Sequence, residues 1–581
     1  MQVDTVNEVQ SVTLGRSPAD VVVRGGRVLS PTTRSLTRRD VAIVGGRIAG
    51  LFDDSRAVVG TDTSIVDARD AVVAPGLVDA HTHLDLHQTV ETSYHRMLAG
   101  GATSVVSEVA AFGPSFGADG VATFLDATAD IPLRVYATVP PQPVFDMFEP
   151  AWADETERKA LRALLERERV VGVGETAWPR IVDRDTPAEM LYDAAHAREK
   201  VVTGHGAGCR GDRLQAFATA VDDDHEAISG DGIRERVDAG IHAVGRFGTI
   251  RDDMDAIGEA YRDLDASELS LSTDGMWPRE LVELGYMDAV LRRAVDAGVD
   301  PVDAVVMATV TPARHFGLEE LGTLRAGTPA DLVVFSDLET FEVETTMIGG
   351  EVVYDGGAPG EPMAPTYSYP DRFTDAVAVE VSTDDLVVPV EAGDDGRVLA
   401  IEYGGGLLTG HDTVEPPVRA GAFEADPPSL AKVALFDRHP ERDGGGFVGF
   451  LTGFGLESGA IASSVTWETA GVVAVGTSDN DMLHAIGALE GMGGGWAVVD
   501  DGDVLATHPT PVGATCSRRP VEETARRYAA IEEAIGTLGV DGDRPMLGIQ
   551  TLPFVGVPSL KLGFEGYADI RAGETVGLAP E

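Results

Sequence analysis

The segment Pro75-Gly76-Leu77-Val78-Asp79-Ala80-His81-Thr82-His83 is an apolar run that ends in two histidines one residue apart. Alternate side chains of a strand share a face, so His81 and His83 present two imidazoles side by side. Two neutral imidazoles so placed make half of a divalent-metal site. Later segments supply the rest. Val171-Gly172-Val173-Gly174-Glu175 closes on an acid and Val201-Val202-Thr203-Gly204-His205 on a histidine. Asp222-Asp223-Asp224-His225-Glu226 carries another histidine, and Leu269-Ser270-Leu271-Ser272-Thr273-Asp274 closes on an aspartate. A single acid after a strand is usually a solvated loop residue or a helix cap. The ordered set of His-x-His, Glu, His, His and Asp, one group per strand, points instead to metal-assisted hydrolysis.

Such a set needs a scaffold that delivers strand ends to one place. Between residues 71 and 316, short apolar strands alternate with longer helical stretches. Strands are predicted at 76–80, 104–109, 134–139, 170–174, 201–204, 218–221, 243–246 and 269–272, with helices such as 155–169 and 280–297 between them. Strand–helix alternation of this length predicts a parallel (β/α)8 TIM barrel, with the ligands at the carboxyl ends of its strands, where barrel active sites form. Residues 20–73 and 321–357 read as short strands closed by glycine pairs and are expected to form one composite β-sandwich. The barrel, 74–320, is then an insertion in it. Residues 1–19 are an N-terminal extension and 358–370 a Pro/Gly-rich linker. Residues 371–581 form a C-terminal α+β domain with glycine clusters at 444–446 and 493–495.

Composition narrows the setting. The 581 residues include 95 acidic and 45 basic ones, a formal net charge of -50. Phosphates would be repelled, so no nucleic-acid partner is expected. Lysine is confined to Lys159, Lys200, Lys432 and Lys561. An acid-rich, lysine-poor chain suits a high-salt, halophilic cytoplasm, where salt screens self-repulsion. No apolar run is long enough for a membrane span, and the N-terminus does not read as a signal peptide. Cys209 and Cys516 permit one bridge at most.

On these residues the chain resembles the adenine deaminase branch of the amidohydrolase superfamily. The resemblance runs over nearly the whole length. It includes Gly172-Val173-Gly174-Glu175, Gly204-His205, Asp224-His225-Glu226 and Ser272-Thr273-Asp274. It also includes Ala326-Gly327-Thr328-Pro329-Ala330-Asp331, Gly459-Ala460-Ile461-Ala462-Ser463-Ser464-Val465 and Val475-Gly476-Thr477-Ser478-Asp479-Asn480-Asp481-Met482. The last two segments single out this branch among amidohydrolases. The resemblance implies that His81, His83 and Asp274 hold one metal and that His205 and His225 hold a second, with Glu175 bridging. It further implies a metal pair of Mn or Fe (Zn is also compatible with the donors) and deamination of adenine. Metal-activated hydroxide would attack the aminated ring carbon. Asp274 would accept the water's proton and pass it to the leaving nitrogen, and Glu226 would protonate a ring nitrogen or orient His225.

The neighbours of the ligands depart from the family. Leu84-Asp85-Leu86-His87 stands where Ile-Glu-Ser-Ser is usual, and Ser107-Glu108-Val109 where Pro-His-Glu is usual. His205-Gly206-Ala207-Gly208 replaces His-Ala-Pro-Gly, and Gly275 replaces a second aspartate after Asp274. Asp85 and Glu108 are candidate pocket acids, and Trp178 and Trp277 candidate covers for a flat ring. His87 and His95 read as helix-surface residues, and His439 and His484 as structural. The expected partner is a small molecule, a purine base, bound by a homo-oligomer. A hydrolase for another aminated heterocycle or cyclic amide, and a metal-binding protein without turnover, are the competing readings.

Overall fold

The computed structural model describes residues 3–145, 151–182, 186–362, 364–390, 396–438, 445–542 and 544–580. Its centre is an eight-stranded parallel sheet: β1 (Leu77–His83), β2 (Ala102–Glu108), β3 (Arg134–Val139), β4 (Val170–Ala177), β5 (Val201–His205), β6 (Asp223–Asp224), β7 (His242–Arg246) and β8 (Leu269–Ser272). Neighbours in the chain are neighbours in the sheet, and every pairing is parallel. The ends meet where the Asp274 N–H donates to the His81 carbonyl oxygen at 3.0 Å. This is a (β/α)8 barrel, with helices between successive strands. The strands are apolar on both faces because helices cover the outside and side chains fill the inside.

Two sequence expectations need correction. Residues 218–221 are not a strand: they follow the helix Asp212–Phe217, and β6 is the dipeptide Asp223–Asp224. An apolar pattern search passes over it because both residues are acidic, yet both are buried. Asp223 accepts from His315 Nε2 at 2.6 Å, and Asp224 pairs with Arg236 and accepts the Gly206 N–H at 2.8 Å. Charges are tolerated there because each is paired and hydrogen-bonded. The expected helix 280–297 is two, Pro278–Glu283 and Met287–Asp296, broken at Gly285, whose φ of 101° no helix accommodates.

Two sheets lie against the barrel. One, of four strands, contains Val21–Arg24, Asp40–Val44, Arg47–Phe52 and Ser64–Asp67. The other, of six, runs through Val72–Pro75, and Leu332–Phe335 pairs antiparallel with that strand. Chain on either side of the barrel therefore shares one sheet, around a core of Val23, Ile43, Val73, Leu332 and Met347. The helix Val3–Thr13 buries Val9 and Val12 against the four-stranded sheet.

After residue 371 an eight-stranded sheet is flanked by the helices Asp479–Met492 and Val521–Thr537. Its core is continuous with that of the barrel. Two contacts fix the seam. Cys516–Ser517 pairs in parallel with His87–Gln88, and Val521–Thr537 packs on Pro278–Glu283. Cys209 and Cys516 are both buried and free. Among the described residues, no helix is long and apolar enough to cross a membrane.

Candidate metal centre

His81 and His83 close β1 two residues apart, on the same face and at its carboxyl end. Glu175 lies in β4, His205 ends β5, His225 follows β6, and Asp274 follows β8. All six are buried. Glu175 Oε1 sits 2.9 Å from His81 Nε2, 3.4 Å from His83 Nε2 and 3.3 Å from His225 Nε2. Asp274 Oδ1 lies 3.4 Å from His81 Nε2 and 3.3 Å from His83 Nε2. His205 Nε2 and His225 Nε2 approach Glu226 Oε1 at 3.5 and 3.7 Å. The donor atoms thus converge in two groups that share His225: His81, Glu175, His225 and Asp274, and His205, His225 and Glu226.

A cation pair suits this set. His81 Nε2, His83 Nε2 and Glu175 Oε2 are buried without a hydrogen-bond partner, a state that normally costs stability unless a ligand supplies the partner. The carboxylates also call for positive charge. Burial alone would lower the His83 pKa, but Glu175 and Asp274 outweigh it and push it up to about 10. Asp274 holds φ at 51°, a left-handed conformation that costs a non-glycine residue about 1–3 kcal/mol and concentrates at functional sites.

Around the ligands stands a shell of committed side chains. Arg246, the last residue of β7, is fully buried. Its guanidinium donates to Asp274 Oδ2 at 3.1 Å and to Asp253 Oδ2 at 2.8 Å, and it pairs with Glu226. Burial would raise the Glu226 pKa, but Arg246 holds it down at about 2. Glu108 Oε2 accepts from Thr138 at 2.6 Å and from the Glu175 N–H at 3.0 Å, so this carboxyl lies behind the ligands and fixes β4. Burial pushes its pKa to about 7. Asp85 accepts the N–H groups of Ala111 and Phe112 at 2.8 and 2.7 Å, at the start of the helix Phe112–Ala127. Asp85→Ala is therefore expected to lower stability by about 1–2 kcal/mol, the usual loss for a helix cap. Denaturant midpoints check this; an unchanged midpoint would show that the cap contributes nothing.

The two tryptophans are placed differently. Trp178 donates its indole N–H to the Ala207 carbonyl oxygen at 2.8 Å. Trp277 is buried in the seam, its ring 4.7 Å from that of His87 and 5.9 Å from that of Tyr528. His87 and His95 are not helix-surface residues. His87 is buried in a short strand with its Nδ1 2.9 Å from Tyr528 Oη, and burial drops its pKa to about 3. His95 is buried 3.3 Å from Glu522. In both cases the C-terminal domain covers what local sequence leaves exposed. His439 lies outside the described residues, and His484 sits on the helix Asp479–Met492.

Pattern reading missed the residues that close the site. Trp467 of the C-terminal domain lies with its ring 4.5 Å from that of His83, and Phe554 with its ring 5.4 Å from that of His205. Glu468 is buried beside them at a φ of 55°. Arg246 was missed too, although an arginine that ends the apolar run Ala243-Val244-Gly245 at the carboxyl end of a barrel strand is a usable signal.

Residues 72–353 match the amidohydrolase family, and residues 406–574 match the adenine deaminase C-terminal domain. The chain is 30% identical over 578 residues to an adenine deaminase of Halalkalibacterium halodurans, covering 98% of this chain and 97% of that protein. It is 32% identical over 592 residues to an adenine deaminase of Moorella thermoacetica, covering 99% and 98%. An adenine deaminase of Methanothrix thermoacetophila is 30% identical over 575 residues, with coverage of 97% and 98%.

Proposed function

Since the chain belongs to the adenine deaminase family of amidohydrolases, we propose that it converts adenine and water to hypoxanthine and ammonia at the cluster of His81, His83, Glu175, His205, His225 and Asp274. The observation that carries this reading is the convergence of donor atoms in two groups joined at His225, one of His81, Glu175, His225 and Asp274 and one of His205, His225 and Glu226, with His83 Nε2 within 3.4 Å of Glu175 and Asp274. His81, His83 and Asp274 would hold one divalent ion and His205 and His225 the other, with Glu175 Oε1 within 3.4 Å of His81, His83 and His225. When bound, the pair supplies the charge that makes water acidic enough to serve as hydroxide near neutral pH. Imidazole and carboxylate donors suit Mn, Fe or Zn, and the family resemblance favours Mn or Fe.

The chain's own groups handle the protons. Asp274 takes the proton released by water and delivers it to the departing nitrogen. Glu226, kept ionised by Arg246 and placed beside both His205 and His225, orients those imidazoles. Arg246 holds both carboxylates in place through one guanidinium. The charge of -50 supports work in a salt-rich medium, where screening offsets self-repulsion.

The test is ammonia and hypoxanthine formation from adenine by Mn-loaded protein in high salt. Stoichiometric formation of both products is the expected result; no turnover by protein with two metals bound removes adenine as the substrate. A second reading, another aminated heterocycle or a cyclic amide, is favoured by Gly275. A Cβ there would stand at van der Waals distance from His83, 3.9–4.0 Å away, so the glycine leaves this imidazole uncovered by a side chain where the family resemblance gives a second aspartate. A panel of such substrates beside adenine distinguishes the two.

A further inference from the structure

A buried carboxyl above the metal cluster has no part in the chemistry so far. Glu468 is 5% exposed, and among the described residues no lysine, arginine or histidine lies within ion-pair distance of it. Its Oε1 accepts from the Gln142 side-chain amide at 2.5 Å, and its N–H donates to the Ala110 carbonyl oxygen at 3.1 Å. Gln142, just past β3, also reaches the Glu175 carbonyl oxygen at 3.4 Å. The carboxyl is therefore tied, through one amide, to the residue at the centre of the cluster. Its neighbour Trp467 lies against His83.

We propose that Glu468 hydrogen-bonds a ring nitrogen of the base held at this centre, so that the C-terminal domain supplies a specificity-determining contact to a site built on the barrel. The inference rests on the adenine reading above. A carboxyl removed from water without a countercharge is unfavourable unless hydrogen bonds satisfy it, and one amide leaves acceptor and donor capacity to spare. A carboxyl can accept from a ring N–H or, when protonated, donate to a nitrogen lone pair. The left-handed backbone at Glu468 is a second sign. Such conformations persist where the surroundings impose them, and they cluster at ligand sites. A purine offers several ring nitrogens that accept, and a flat face that suits the neighbouring Trp467 and Phe554 rings.

A residue that merely braces the two domains would have the same contacts, so the experiment must separate the roles. Metal-loaded wild type, Glu468→Leu and Glu468→Gln are compared on adenine and on its 1-, 3- and 7-deaza analogues. The readout is kcat/KM, or the inhibition constant where an analogue is not turned over. Glu468→Leu is expected to lose about 10- to 100-fold in kcat/KM for adenine, mainly through KM. Glu468→Gln, which keeps a donor, should stay within about 5-fold of wild type. For the analogue that lacks the contacted nitrogen, the difference between wild type and Glu468→Leu should vanish. An equal loss on adenine and all three analogues, or no loss at all, overturns the inference. If wild type neither binds nor deaminates adenine, the functional reading falls and this inference with it. If wild type is active and Glu468→Leu matches it, this inference alone falls.

Discussion

Asp274→Asn is expected to lower kcat for ammonia release from adenine by at least about 10³-fold, the scale of a lost general base and ligand combined. Asp274 Oδ1 lies within 3.4 Å of two imidazole nitrogens, and its Oδ2 accepts from Arg246. Asparagine keeps the shape and the backbone bond to His81 but carries no charge and cannot take up a proton at neutral pH. The fold should survive, because the Asp274 N–H remains bonded to the His81 carbonyl oxygen and Arg246 retains Glu226 and Asp253. The check is single-turnover kinetics beside a count of bound metal per chain. Activity within about 10-fold of wild type would remove Asp274 from the proton path. Loss of activity with both metals retained would assign the effect to proton transfer; loss together with one metal would assign it to ligation.

The second large effect is predicted for Arg246. This guanidinium is buried among Glu226, Asp253 and Asp274, and pairs with all three. Removing it takes from Glu226, Asp253 and Asp274 the buried cation they share, a loss of about 3–5 kcal/mol. Arg246→Met should therefore lower the unfolding midpoint strongly in the metal-free protein. It should also reduce activity, because Asp274 and Glu226 lose their common anchor. Arg246→Lys keeps the charge but not the fork that reaches three acceptors, so it should recover only part of either property. High salt should not rescue Arg246→Met, since buried pairs are screened far less than surface ones. An unfolding midpoint equal to wild type would show that the three carboxylates are satisfied by other means. The Met and Lys variants together distinguish lost charge from lost geometry.

The converging donor atoms were legible because a parallel barrel maps chain order onto position around a ring. Each donor group sits at or near the carboxyl end of a barrel strand, so a local signal, an apolar run followed by His, Glu or Asp, also gives its place. His81 and His83 needed only the two-residue period of a strand. The same logic failed at β6, where the strand is two buried aspartates and no apolar run precedes His225. It failed again at Gly285, where one glycine divides a continuous helical pattern.

Residues that act through contacts between distant segments carry no such signal. Asp85 and Glu108 stood out in sequence as candidate pocket acids. Tertiary structure turns the first toward the start of a helix and sets the second behind Glu175, because backbone N–H groups there need acceptors. His87 and His95 read as exposed until the C-terminal domain is laid over them. The Gln142–Glu468 bond spans 326 residues of chain, and nothing in the local pattern of either segment encodes it. By itself, then, the sequence determined the barrel and the candidate donor atoms at its mouth, through periodicity and order, and the family, through the motifs that resemble it. What covers that mouth, and which carboxyls face it, was decided only in three dimensions. There the packing of one domain on another, and the need to satisfy buried polar groups, select among side chains that look equivalent along the chain.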